Sequence, residues 1–471
     1  MNFVSISFFI FLPIVLLLFW LMPNKYRYIV LVLGSYFFYS FLNYWLILLI
    51  LFTTLISYLG ARGIKRYQKH KKLFLTLTIT SCLGSLFVFK YLDFTIGLFG
   101  QFFSLVGLNL SIQPLNIILP VGISFYTFQT LGYVIDVYKG KMEAEKHIGY
   151  YALFVSFFPQ LVAGPIEKAS KLIPELKKEH TFSIDNITNG LRYVTSGFIK
   201  KILIADFLVI YVNGVYADLS VYSGLEILIA TFLFGIVIYC DFSGYSEIAI
   251  GISKWLDVDL TKNFDRPYLS SSFKEFWNRW HITLNNFFTE YIYIPLGGSQ
   301  KGRFRKYLNI FIIFFISGLW HGASIHFVLW GIVCGLLLII EDLLYPLIDK
   351  ITWKNTVKKI IGIVITYIFI NICWIFFRAQ SINDIGVIFT QIFTNFASGF
   401  DTTFFTIFNI VLLILSLVVL PLLHYLPIIN KEDKYAYTHI GLYVLLMFIV
   451  SMMYIHNLNN GGESSFIYFQ F

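Results

Sequence analysis

Two histidines stand where the surrounding residues keep water scarce. His321 lies in "SGLWHGAS", inside the apolar run "FFISGLWHGASIHFVLWG" that starts at Phe314, and His281 lies in "FWNRWHITLNNFF". Imidazole titrates nearest neutrality of the side chains, and burial favours its neutral form, which accepts a proton. Two such rings point to general-base chemistry, in which a hydroxyl loses its proton as it attacks an electrophile. For any single intramembrane histidine, a ring bonded to a backbone carbonyl is an equally ordinary use. The setting of His321 tips that balance. Gly318 and Gly322 flank it, with Ser317 and Ser324 outside them. Small residues weaken a helix, and opened backbone is tolerated at membrane depth only beside a cavity.

His281 belongs to a stripe of Phe273, Trp277, Trp280, His281, Leu284 and Phe288. That spacing predicts a helix carrying His281 on the face of Trp277, and "SSSFKEFW" offers serine caps for its start. Trp320, Trp277, Asp241 and Asn285 are the accompanying candidates for substrate binding. Asp241 shares the run "YCDFSGYSEIAIG" with Glu247. Its ordinary uses, capping a helix that starts near Ser243 or pairing with a buried arginine, outweigh direct catalysis. His70, His147 and His180 neighbour lysines and His439 is near a charged turn, whereas His326, His424 and His456 lie among apolar residues. Arg378 reads as a snorkelling residue at a span end. "FSGYSE" is not a nucleophile elbow, and "IPLGGSQKGR" reads as a turn rather than a phosphate loop. The four cysteines form no CxxC pair, so neither a metal site nor a disulfide framework is expected.

The elements that hold these residues follow from composition. Hydrophobic residues make up 58% of the chain and charged ones 13%, with a mean hydropathy of +0.74. A soluble domain of this length needs far more polar surface, so the expected class is an all-α polytopic membrane protein in the lipid bilayer. The net charge of +9 is scattered between apolar spans. It suits membrane orientation and forms no contiguous nucleic-acid groove.

One crossing takes about 20 apolar residues. Candidate spans are 3–22, 28–61 (two crossings, broken near Leu42 and Asn43), 73–89, 117–137, 147–166 and 190–216. They continue at 224–253, 307–317, 325–340, 360–377, 402–426 and 437–456. With some segments dipping in rather than crossing, about eleven transmembrane helices are expected. The first run lacks a basic leader and a small-residue cleavage site, so it reads as a retained span. The basic loop "ARGIKRYQKHKK", 61–72, is assigned to the cytoplasm. Residues 264–302 are aromatic yet carry six or more charges, each costing about 2.5–3.5 kcal/mol at the centre of a lipid-exposed helix. That region must lie at an interface or line an internal cavity. No internal repeat is apparent, and residues 1–471 read as a single membrane domain.

Several blocks carry a family resemblance: "LPVGISFYTFQTLGYVIDVYKG" from Leu119, "FFPQLVAGPI" from Phe157, "DFSGYSEIAIG" from Asp241, "FWNRWHITLNNFFTEYIYIPLGG" from Phe276, "SGLWHGASIHFVLWG" from Ser317 and "FIYFQF" from Phe466. Through them the chain resembles the membrane-bound O-acyltransferase (MBOAT) family, and within it the bacterial alginate O-acetyltransferase type. The resemblance implies a ring of helices around a central funnel or tunnel lined by short re-entrant or tilted helices. It implies that His321 is the catalytic histidine and that His281 is a second, often required polar position. Glu247 stands where relatives often have aspartate. No permanently bound cofactor is implied. The acyl group would come from a cytoplasmic thioester such as acetyl-CoA or an acyl carrier thioester, and pass to a polysaccharide acceptor outside a bacterial cell membrane. An extracytoplasmic esterase-like partner would often complete the delivery.

A purely structural scaffold for a polysaccharide export complex gives no reason for the paired tryptophan-histidine motifs, and two stronger rivals remain. One is D-alanyl transfer to teichoic acid from a carrier protein, a sister activity. The other is a transporter or channel, a class that often shows two similar halves with interrupted helices in matching positions. No such symmetry is seen here.

Overall fold

The computed structural model describes residues 1–41, 43–107, 113–349, 354–397, 399, 406–426, 436–459 and 466. Among them the regular structure is entirely helical. Among the described residues, six helices are long and apolar enough to cross a membrane: Leu46–Arg66, Gln68–Leu105, Gly224–Trp255, Ile325–Pro346, Asn355–Arg378 and Tyr437–Ile455. The chain forms two compact units, Met1–Ser183 with Ile252–Thr261, and Ile184–Gly251 with Lys262–Phe471.

In the first unit, helices Ile6–Leu21, Asn24–Ser40 and Leu46–Arg66 occupy the first three expected runs, and of them Leu46–Arg66 is long and apolar enough to cross. The chain breaks between Ser40 and Leu46 as the sequence suggests, although Leu42 itself lies outside the described residues. Phe3, Phe8, Phe11, Phe38 and Phe158 pack ring against ring at centroid distances of 4.9–6.1 Å. The expected crossing at 147–166 is not a continuous helix. Helix Ile148–Ser156 has nine residues and gives way to turns. Pro159 and Pro165 cannot donate backbone hydrogen bonds there. The buried end of the short helix is satisfied by side chains instead, because Gln129 Nε2 (2.8 Å) and Gln160 Nε2 (3.2 Å) both donate to the Phe154 carbonyl. Gly122, with φ of 80°, lets helix Ile123–Tyr138 start hard against this turn. A Cβ there would lie 2.7 Å from the Leu161 carbonyl oxygen.

The second unit holds both histidines. Helix Ile184–Phe198 continues through a wider π-helical stretch, Ile199–Ala205, into Asp206–Ala217. It packs on Gly224–Trp255 through glycines seven residues apart. A Cβ on Gly197 would lie 2.6 Å from the Gly244 carbonyl oxygen, and one on Gly251 2.6 Å from that of Gly190. Backbones this close require small residues at the contact, as is usual between helices in lipid. Gly302–His321 and Ile325–Asp349 form a helical hairpin with the same device. A Cβ on Gly318 would lie 2.3 Å from the Phe327 oxygen, and one on Gly331 2.3 Å from the Phe314 oxygen.

Candidate functional site

His321 is the last residue of its helix, and Gly322 continues in extended conformation at φ −165°. The expected helix break is therefore present, but the glycines serve it differently from expectation. An extended φ is open to any residue, so flexibility is not what Gly322 supplies. Space is: a Cβ on Gly322 would lie 2.1 Å from the Phe327 ring. The glycines bring the second helix of the hairpin onto the imidazole. The His321 ring sits edge-on to Trp330 (centroids 4.8 Å apart, 85°), Phe377 (5.2 Å, 79°) and Trp320 (4.9 Å, 77°). Three aromatic walls fix its plane and leave it 7% exposed.

The single helix expected through His281 is in fact two. Helix Phe273–Arg279 starts at Ser272, whose hydroxyl accepts from Glu275 N, as the serine-rich stretch suggests. It stops at Trp280, and His281 adopts left-handed backbone (φ 45°, ψ 53°) before helix Ile282–Phe288. A non-glycine residue there costs about 1–2 kcal/mol. Local hydrogen bonds impose it. Asn285 Nδ2 donates to the carbonyls of Trp277 (2.5 Å) and Trp280 (2.6 Å), taking the acceptors a continuing helix would use. Asp265 N donates to the Arg279 carbonyl (2.9 Å), and Ile282 N to that of Asn263 (2.9 Å). The His281 ring is buried against Phe242 (4.7 Å) and Trp320 (5.8 Å), with Nδ1 3.2 Å from Asn263 Oδ1. Burial lowers its proton affinity well below that of a solvated imidazole. The ring is held neutral.

Both rings line one cavity of about 290 Å³. Along Gly302–His321 its wall is Lys306, Ile310, Ile313, Phe314, Ser317 and His321, one face of the helix at three- and four-residue spacing. From Lys306 to His321 that face is roughly 22 Å long at about 1.5 Å per residue. The groove has charged groups around Lys306, where the ammonium lies 2.6 Å from each carboxylate oxygen of Asp342 and where Lys274 and Glu341 also reach the wall. Its middle is apolar, and it reaches His321 at the other end of that helical face. Trp277 and Asn285 line it too, and Trp277 Nε1 is a buried N–H with no hydrogen-bond partner among the described residues.

Trp320 and Asp241 do not line the groove. Trp320 packs against both imidazoles, as the ring distances above show. Asp241 is mid-helix in Gly224–Trp255, so it caps nothing. Its partner is a lysine, not an arginine: Lys201 Nζ lies 2.7 Å from Asp241 Oδ1 and 2.8 Å from Asp206 Oδ1. Glu247 is paired with Lys200 at 2.5 Å. Arg378 ends its helix as expected, donating to Asn213 Oδ1 (3.0 Å) over the Tyr216 ring. His326 meets Ser324 Oγ at 2.8 Å, while the side chains of His424 and His456 lie outside the described residues. Of the terminal "FIYFQF", only Phe466 is described. Sequence reasoning missed Asn263, Lys306 and Phe377, none of which stands in a recognisable motif. Among the described residues, no three His, Cys, Asp or Glu side chains converge to hold a metal ion.

A family model described as MBOAT, membrane-bound O-acyltransferase family, matches residues 145–383, which include both histidines. The chain belongs to the membrane-bound O-acyltransferase family. It is an O-acyltransferase by family. "Probable alginate O-acetylase AlgI" of Pseudomonas aeruginosa is 33% identical over 383 residues, covering 80% of this chain and 72% of that protein. "Peptidoglycan O-acetyltransferase" of Helicobacter pylori is 35% identical over 380 residues, 75% of this chain and 71% of that one. "Teichoic acid D-alanyltransferase" of Bacillus subtilis is 25% identical over 268 residues, 55% and 68% respectively. The first two relatives are named for O-acetyl transfer.

Proposed function

We propose that this membrane protein moves a short acyl group, acetyl, from a cytoplasmic thioester such as acetyl-CoA or an acyl carrier thioester to a hydroxyl of an extracytoplasmic polysaccharide or cell-wall polymer. The observation that carries the reading is the groove of the second unit, with two imidazoles in its wall and lysines at its far end. Lysines attract the phosphates of a thioester donor. An elongated apolar passage suits its slender arm.

In this reading His321 takes the proton of the acceptor hydroxyl as its oxygen attacks the thioester carbonyl. A C–O bond forms, the C–S bond breaks, and the proton passes from His321 to the departing thiolate. General-base assistance contributes about 10²–10⁴ in rate, and alignment in the groove adds proximity. His281, Trp277 and Asn285 bind or orient the reactants, with Trp320 holding the two rings and Asp241 supporting the fold. The finer architecture, about eleven crossings of one membrane domain around a central funnel, belongs to the same proposal. So do the bacterial cell membrane as location and an extracytoplasmic esterase-like partner. Acetyl transfer ranks above D-alanyl transfer because the relatives named for it are more similar over more of the chain.

The test is mass spectrometry of the cell's glycans with wild-type protein, with His321→Ala and with the gene removed. Wild-type cells should carry O-acetyl groups that both other strains lack. O-acetylation unchanged on removal would refute the reading, and a D-alanyl mass increment in its place would favour the rival.

A further inference from the structure

His281 can serve a reactant as donor or as acceptor, and the two roles need different tautomers. The surroundings decide between them. Asn263 Oδ1 lies 3.2 Å from Thr283 N, 2.9 Å from Thr283 Oγ1 and 3.2 Å from His281 Nδ1. A backbone N–H is always a donor, so the Asn263 atom facing Thr283 must be the carbonyl oxygen and not the amide nitrogen. A carbonyl oxygen only accepts. His281 Nδ1 at 3.2 Å from it must therefore carry hydrogen, because two lone pairs facing each other would repel. A doubly protonated ring would satisfy the same contact, but it would place a charge among Phe242, Phe264 and Trp320. Burial at 2% exposure opposes that. The neutral ring with hydrogen on Nδ1 is what remains, and its lone pair is on Nε2.

We infer that Asn263 is a positioning residue that fixes this tautomer, so that His281 meets a reactant as a hydrogen-bond acceptor at Nε2. This rests on the acyl-transfer reading of the groove and divides its labour. A neutral Nε2 lone pair would repel a developing oxyanion, so His281 does not stabilise the negative charge of the tetrahedral intermediate. It accepts instead from an O–H or N–H of a bound reactant and orients it toward His321. Asn263 does double duty, since its backbone carbonyl and side-chain oxygen both hold the start of helix Ile282–Phe288. One asparagine thus fixes both the backbone turn at His281 and the hydrogen on its ring.

The experiment uses full-length protein in lipid bilayers with ¹³C,¹⁵N-labelled histidine, read by solid-state NMR at neutral pH. Subtracting the spectrum of His281→Gln isolates the His281 ring. The expected result is an unprotonated nitrogen bonded to Cδ2 and a protonated one bonded to Cγ. The reverse pattern in wild-type protein overturns the inference, and no variant need fold differently for that outcome. Asn263→Asp keeps an acceptor toward both partners and should keep the tautomer and most turnover. Asn263→Leu should lose the tautomer preference and roughly 10- to 100-fold in turnover. Asn263→Leu protein that folds and still shows hydrogen only on Nδ1 would also defeat the positioning role. If His281→Gln turns over normally while the wild-type tautomer is as expected, the acyl-transfer role of His281 falls and the assignment of its hydrogen stands.

Discussion

Two of the clusters of ionisable side chains in the second unit are built on opposite plans. Around Lys200 and Lys201, charges meet charges: Glu247, Asp241 and Asp206 lie within 2.8 Å of an ammonium. Around His281 and His321, imidazoles meet aromatic walls and an open groove. None of the five charged residues lines that groove. Inside an apolar protein a paired charge is matched by its partner and has nothing left to offer a ligand. A neutral base beside a cavity can still take a proton. Burial of a titratable group therefore says little about function until the adjoining space is known.

The contrast can be broken by exchanging the expected phenotypes. His321→Ala should remove about 10²–10⁴ of the turnover while leaving thermal unfolding and membrane insertion unchanged. Lys201→Met should do the reverse. It strands the buried carboxylate of Asp241 and the partly buried one of Asp206, and should cost about 3–5 kcal/mol of stability. Thermal unfolding in detergent would show it, with turnover per folded molecule within a few-fold of wild type. If Lys201→Met abolished turnover in fully stable protein, the ion-pair cluster would belong to the chemistry.

A smaller effect is expected at the hairpin beside His321. Gly331→Ala forces a Cβ toward the Phe314 carbonyl and should cost about 1–3 kcal/mol, with turnover falling because the Trp330 wall moves. Unchanged unfolding and unchanged turnover would show that the helices have slack there.

The smallest effect concerns pH. His281 lies between two short helices, and burial lowers its proton affinity in the folded state from an ordinary value of 6.5. Below that pH the unfolded chain binds the proton and the folded chain resists it, so stability present above pH 6.5 is lost as the pH falls. His281→Gln should flatten that acid limb. A limb of unchanged slope would mean that other groups produce it.

Much of the fold was legible because hydropathy and length are strong signals. Most long apolar runs became helices close to the expected bounds, although 73–89 lies within a helix that runs from Gln68 to Leu105 and 117–137 is helical only from Ile123, and the break after Ser40 fell where the pattern weakened. The failures share a cause. At 147–166 and at His281, the apolar periodicity runs on while the helix stops, with Gln129 and Gln160 amides taking a carbonyl that the prolines leave unpaired in one case and with Asn285 donating and Asn263 accepting in the other. Periodicity reports which face is buried. It does not report a side-chain amide arriving from elsewhere to claim a carbonyl. The histidines were visible because imidazoles are conspicuous among aromatic and aliphatic residues. Asp241 was conspicuous for the same reason, and only the position of Lys201 reveals that its charge is already matched.

The central claim is most directly tested by a single-turnover measurement on purified protein in proteoliposomes. A radiolabelled acetyl thioester would be supplied on one side and a soluble oligosaccharide on the other, with wild-type and His321→Ala proteins compared at equal folded concentration. Wild-type protein is expected to deliver label to the oligosaccharide hydroxyl, and His321→Ala to bind donor but transfer at least about a hundredfold more slowly. Equal transfer by the two proteins would contradict it.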